Sequence, residues 1–118
     1  VKYRVTQPHE PEYSEGLIVR KGEKLKYERK PTAWPGWIWC TASNGRTAWV
    51  PESWVEFEGG FCVLSRDYNS KELRISEGDV VEVELEESGW AWVRNTAGIH
   101  GWVPLDRIAP EREGTALR

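Results

Sequence analysis

Apolar and polar positions alternate along most of the chain in short runs, which is the period of strands with one buried face. Val1-Lys2-Tyr3-Arg4-Val5-Thr6 opens with such a run, and Gln7 to Gly16 interrupts it with two prolines, His9 and three glutamates, the composition of an acidic loop. Leu17-Ile18-Val19 resumes strand character, Lys21-Gly22 marks a turn, and Leu25 and Tyr27 then share a face whose opposite side is basic. In Trp37-Ile38-Trp39-Cys40 the alternation sends both tryptophans to one side and Ile38 and Cys40 to the other, which is read as core. Ser43-Asn44-Gly45-Arg46 is a hairpin turn of the Asn-Gly type. The returning strand brings Val50 to the core side between Trp49 and Pro51, Glu52-Ser53-Trp54 reads as one tight helical turn, and Val55 begins a closing strand.

This pattern occurs twice. Trp37, Trp49 and Pro51 reappear as Trp90, Trp102 and Pro104, each at an offset of 53 residues. A fixed-period repeat sets the architecture before any single residue does. Phe61 to Ser65 is read as the first strand of the second copy, Leu73-Arg74-Ile75 as its second, Glu77-Gly78-Asp79 as a turn, and Val81, Val83 and Leu85 as a core face. The expected organisation is one domain over 1–57, a linker at 58–60, a second domain over 61–109 and a frayed tail at 110–118.

Composition narrows the function classes. Eight tryptophans in 118 residues, seven of them in the repeated segments, supply large rings to two small cores. The net charge of −3 divides into +2 over 1–57 and −5 over 58–118. That balance argues against nucleic-acid binding by phosphate neutralisation. No run reaches the roughly 18 apolar residues of a membrane span. Cys40 and Cys62 fall one in each copy, and Cys40 stands where the other copy has Val93. Both are therefore read as buried, unpaired thiols, which fits a reducing, cytoplasmic setting. His9 and His100 read as surface residues. The hydroxyls, histidines and cysteines form no nucleophile motif, phosphate loop or metal-ligand spacing, so no enzyme, cofactor or metal is expected.

Glu72-Leu73-Arg74-Ile75, Gly78-Asp79, Gly89-Trp90, Gly98, Gly101-Trp102-Val103-Pro104 and Ile108 in the second copy resemble an SH3 domain. The first copy resembles one through Leu17-Ile18-Val19, Gly22-Glu23, Gly36-Trp37, Gly45 and Trp49-Val50-Pro51-Glu52-Ser53-Trp54-Val55. The pair is similar to small bacterial proteins made of two tandem SH3 domains. The resemblance implies an all-β fold of two tandem SH3-like five-stranded barrels joined by a very short linker. It further implies a groove of aromatic rings for an extended, commonly proline-rich peptide.

By the same resemblance Trp37, Trp49, Pro51 and Trp54 line the groove of the first copy, with Glu12 and Glu15 as its acidic loop residues. Trp90, Trp102 and Pro104 are their counterparts in the second, where Arg107 replaces Trp54 and the family's two groove tyrosines are missing. The reading is a non-catalytic monomer that binds a protein or peptide partner mainly through the first copy, without nucleic acid or membrane. Three alternatives stay open: glycan or cell-wall binding, an aromatic cage for a cationic group, and grooves buried at the junction of the domains. Trp39 and Trp92 are read as covering the outer face of the sheet or packing at the junction between the units.

Overall fold

The computed structural model describes residues 2–11 and 16–111. Among the described residues twelve strands follow in chain order: β1 (Lys2–Val5), β2 (Ile18–Val19), β3 (Lys24–Glu28), β4 (Trp37–Thr41), β5 (Thr47–Pro51), β6 (Val55–Glu58), β7 (Phe61–Leu64), β8 (Tyr68–Asn69), β9 (Val80–Glu87), β10 (Trp90–Asn95), β11 (His100–Pro104) and β12 (Ile108–Pro110). Single 3₁₀ turns, Glu52–Trp54 and Leu105–Arg107, precede β6 and β12. The fold is all-β, with two five-stranded antiparallel sheets as the resemblance implied.

The membership of the sheets departs from the expected boundaries. One sheet runs β5-β4-β3-β7-β6 and the other β11-β10-β9-β1-β12. The chain accordingly divides into a continuous unit, Tyr13–Lys71, and a split unit made of Val1–Glu12 with Glu72–Arg118. The first strand of each repeat thus sits in the sheet of the other repeat. The correction has a local cause: Glu58 pairs with Phe61, so Gly59 and Gly60 are the two-residue turn of a hairpin rather than a linker. Gly59 takes φ +63°, which a glycine supplies without steric cost. A connection this short obliges β7 to lie beside β6, and β1 takes the equivalent place in the split unit.

The two placements match bond for bond. Gly22 N–H donates to the Leu64 carbonyl at 2.7 Å in the continuous unit, and Gly78 N–H donates to the Val5 carbonyl at 2.8 Å in the split one. Leu64 faces Val55 across β7 and β6 as Val5 faces Ile108 across β1 and β12. Both strands offer a buried aliphatic at the same point, Leu64 in one sheet and Val5 in the other.

The cores follow the alternation. Leu17, Val19, Leu25, Ile38, Cys40, Val50 and Leu64 are buried in the continuous unit, which confirms Ile38, Cys40 and Val50 as inward residues. Val5, Leu73, Ile75, Val81, Ala91, Val93, Val103 and Ile108 form the core of the split unit. Leu85 departs from its expected place. The β9–β10 register shifts between Val93, paired with Val83, and Trp92, paired with Leu85, so a bulge at Glu84 turns Leu85 to the Trp92 face. Ala109 and Pro110, expected to bound or join the tail, pair with Arg4 and Tyr3 in β12.

Candidate functional site

Cross-strand register builds the aromatic face of the continuous unit. Trp37 stands opposite Pro51 and Trp39 opposite Trp49, all on the side of β4 and β5 away from Ile38 and Val50. Trp39 and Trp49 meet edge to face with centroids 5.2 Å apart, a geometry favoured by the ring quadrupoles. The Trp49 carbonyl accepts a 2.7 Å hydrogen bond from the Tyr68 hydroxyl. Tyr68 in turn meets Trp54 edge to face at 5.6 Å. Trp39, Trp49, Tyr68 and Trp54 therefore form one connected strip. Lys30 Nζ lies 4.1 Å from the Trp39 centroid at one end, and the Arg66 guanidinium lies 4.1 Å from the Trp54 centroid at the other.

The rings differ in exposure. Trp37 is 8 % and Trp54 5 % exposed, whereas Trp39 and Trp49 are half-buried. Trp49 and Trp39 thus present the open part of the strip. Pro51 is fully buried. Glu12 and Glu15, expected as acidic loop residues, lie outside the described residues. Glu10, in the same stretch, pairs with Arg74 at 3.0 Å, and Asp67, in the segment after β7, accepts the Lys21 N–H at 2.8 Å and so fixes the backbone.

Tyr68 and Arg66 were missed from the sequence for a topological reason. They follow β7, which the repeat pattern assigns to the second copy, where the family's groove tyrosines are missing. With β7 in the continuous unit, the tyrosine falls beside Trp54. A Tyr four residues beyond the last strand apolar residue, Leu64, was the available signal.

The equivalent face of the split unit is more polar. Trp90 stands opposite Pro104 and Trp92 opposite Trp102. Trp102 is 3 % exposed and Pro104 is buried, while Trp90 and Trp92 are half-buried. His9 occupies the Tyr68 position, bonded to Glu72 Oε1 at 2.9 Å and set edge-on to Trp90 at 5.6 Å. It is not the surface histidine expected, since its side chain is 12 % exposed. Arg107, at the Trp54 position, donates to the Pro8 carbonyl. His100 stacks on Trp92 at 5.8 Å and contacts Glu84 at 3.2 Å.

The two cysteines share one core instead of belonging to separate units. Cys40 Sγ and Cys62 Sγ are 3.8 Å apart, free and fully buried. Desolvation pushes both thiols above their ordinary range, and for Cys40 the neighbouring Cys62 adds to the rise. Thiols held neutral in this way are poor nucleophiles. Among the described residues no group of three or more His, Cys, Asp or Glu is placed to hold a metal ion. No helix among them is long and apolar enough to cross a membrane.

A family model described as a variant SH3 domain matches residues 2–58. The match runs from β1 through β6, so its first strand lies in the split unit while the remainder lies in the continuous one. No curated protein and no solved structure matches the chain. SH3 domains are in general protein-interaction modules.

Proposed function

We propose that the protein is a non-catalytic interaction module that takes an extended peptide on the aromatic strip of the continuous unit, with Trp37, Trp49, Pro51 and Trp54 as the residues that shape the groove. The observation that carries this reading is the connected series Trp39, Trp49, Tyr68 and Trp54, in which the half-buried Trp39 and Trp49 lie on the side of β4 and β5 away from Ile38 and Val50. Parallel ridges of rings suit an extended backbone because they pack its side chains without demanding secondary structure from the ligand. The split unit is a second barrel of the same kind, a reading supported by the equivalent hydrogen bonds of β1 and β7. Trp90, Trp102 and Pro104 hold a weaker groove there, because His9 and Arg107 replace a tyrosine and a tryptophan.

The cage alternative is less well supported, since Trp39 and Trp54 are already faced by cations of the chain itself. The test is nuclear magnetic resonance titration of the full chain with proline-rich peptides, run beside Trp49→Ala and Trp90→Ala. Shifts confined to Trp39, Trp49 and Trp54 indoles and lost in Trp49→Ala are expected. Saturable shifts around Trp90 that survive Trp49→Ala would move the site to the split unit, and no shift at any indole would reject peptide binding.

A further inference from the structure

The strip ends in two cations, and their surroundings say which ligand it suits. Arg29 and Lys24 also lie against rings, Phe57 at 5.1 Å and Phe61 at 5.7 Å, but each has a carboxylate partner, Glu52 at 3.0 Å and Glu58 at 3.5 Å. Lys30 and Arg66 form no ion pair with any described residue. Both are exposed. An arginine stacked on a ring keeps the N–H edge of its guanidinium open, and that edge matches a carboxylate bidentately. A lysine over a ring likewise leaves donors turned to solvent.

Net charge points the same way. The continuous unit carries nine Lys or Arg against seven Asp or Glu over 13–71. Asp67, beside Arg66 in sequence, has one carboxylate oxygen engaged by the Lys21 backbone N–H at 2.8 Å.

We infer that the strip selects an acidic peptide, one with an apolar extended middle over Trp39 and Trp49 and Asp or Glu side chains that pair with Arg66 and Lys30. This rests on the peptide-binding reading above and adds the polarity of the ligand. The cations serve as lids on their rings in the free protein and as anion contacts in the complex. Each ring–cation–carboxylate stack keeps the cation where it already lies, so little ordering is required on binding.

The test is selection of the full chain against a randomised peptide library of mixed charge, repeated with Arg66→Glu, Lys30→Glu and Trp49→Ala. Acidic sequences are expected to dominate, with affinities that weaken as salt is raised. Each charge reversal is expected to lower affinity for the acidic peptides about two- to fivefold, the scale of exposed charge pairs, and to shift selection toward basic sequences. Selected peptides that are neutral or basic, or that bind both charge-reversal variants as tightly as the parent, would overturn the inference while leaving the strip as a peptide site. Failure to enrich any sequence over the Trp49→Ala control would overturn the peptide site and the inference together.

Discussion

Replacing Val5 by alanine tests the exchange of strands directly. Val5 is 1 % exposed in the core that contains Val81, Val103 and Ile108, all distant in sequence. The substitution removes two buried methyl groups, worth about 0.8 kcal/mol each, and the cavity left among rigid neighbours raises the loss to about 2 kcal/mol. A loss of that size speeds opening-limited amide exchange about 30-fold. Hydrogen exchange read by mass spectrometry should place the faster exchange in peptides from β9, β10 and β11, with β4 and β5 retaining protection. Leu64→Ala is the reciprocal case, costing about 3 kcal/mol and loosening β4 and β5 instead. If Val5→Ala exposed β4 and β5 while β10 and β11 stayed protected, β1 would belong to its own repeat and the strand assignment would be wrong.

Four further outcomes follow from individual positions. A fragment spanning 13–71 holds every strand of one sheet and should fold with dispersed amide resonances, whereas a 1–57 fragment lacks β7 and should not. Gly101→Ala sets a Cβ 2.7 Å from Leu73 Cβ and 2.8 Å from its amide nitrogen, which should cost about 1–3 kcal/mol in chemical denaturation. Ser88 holds φ +45° in the turn before Trp90, so Ser88→Gly should stabilise by about 0.5–1 kcal/mol and raise Tm. The raised thiols favour the neutral form in the folded state, so their contribution is complete below the ordinary value of 9.0 and declines as pH rises above it toward the folded values. Unfolding free energy measured from pH 8 to 10.5 should fall more steeply in the parent than in a Cys40→Val/Cys62→Val variant, and equal slopes would contradict the burial of the pair.

The alternation of Ile38, Cys40 and Val50 against Trp37, Trp39 and Trp49 disclosed both faces of the central hairpin, because a period of two leaves no freedom once one face is apolar. Which strand joins which sheet was not legible in the same way. The first strands of the two repeats offer interchangeable apolar positions, Val5 and Leu64, and period alone is indifferent to their exchange. Gly59-Gly60 did carry the information, as a two-residue hairpin turn, but two glycines between repeats also fit a linker. The depth of Trp54 and Trp102 was likewise hidden, since alternation gives direction and not the neighbours that cover a ring. Leu85 was misplaced because one bulge reverses the faces beyond it.

The exchange of strands also sets which side chains surround the tryptophans of each sheet. Without β7 in the continuous unit, the loop after it would not deliver Tyr68 to Trp49 and Trp54, and Arg66 would not cover Trp54. In the split unit the loop after β1 delivers His9 and Glu72 meets it, so the same scaffold position becomes a polar pair beside Trp90. The difference between an aromatic strip and a polar one therefore comes from which first strand, and hence which following loop, each sheet has taken. Two sheets of the same strand order acquire different faces by trading one strand each, and only one of them receives a tyrosine and an arginine beside its tryptophans.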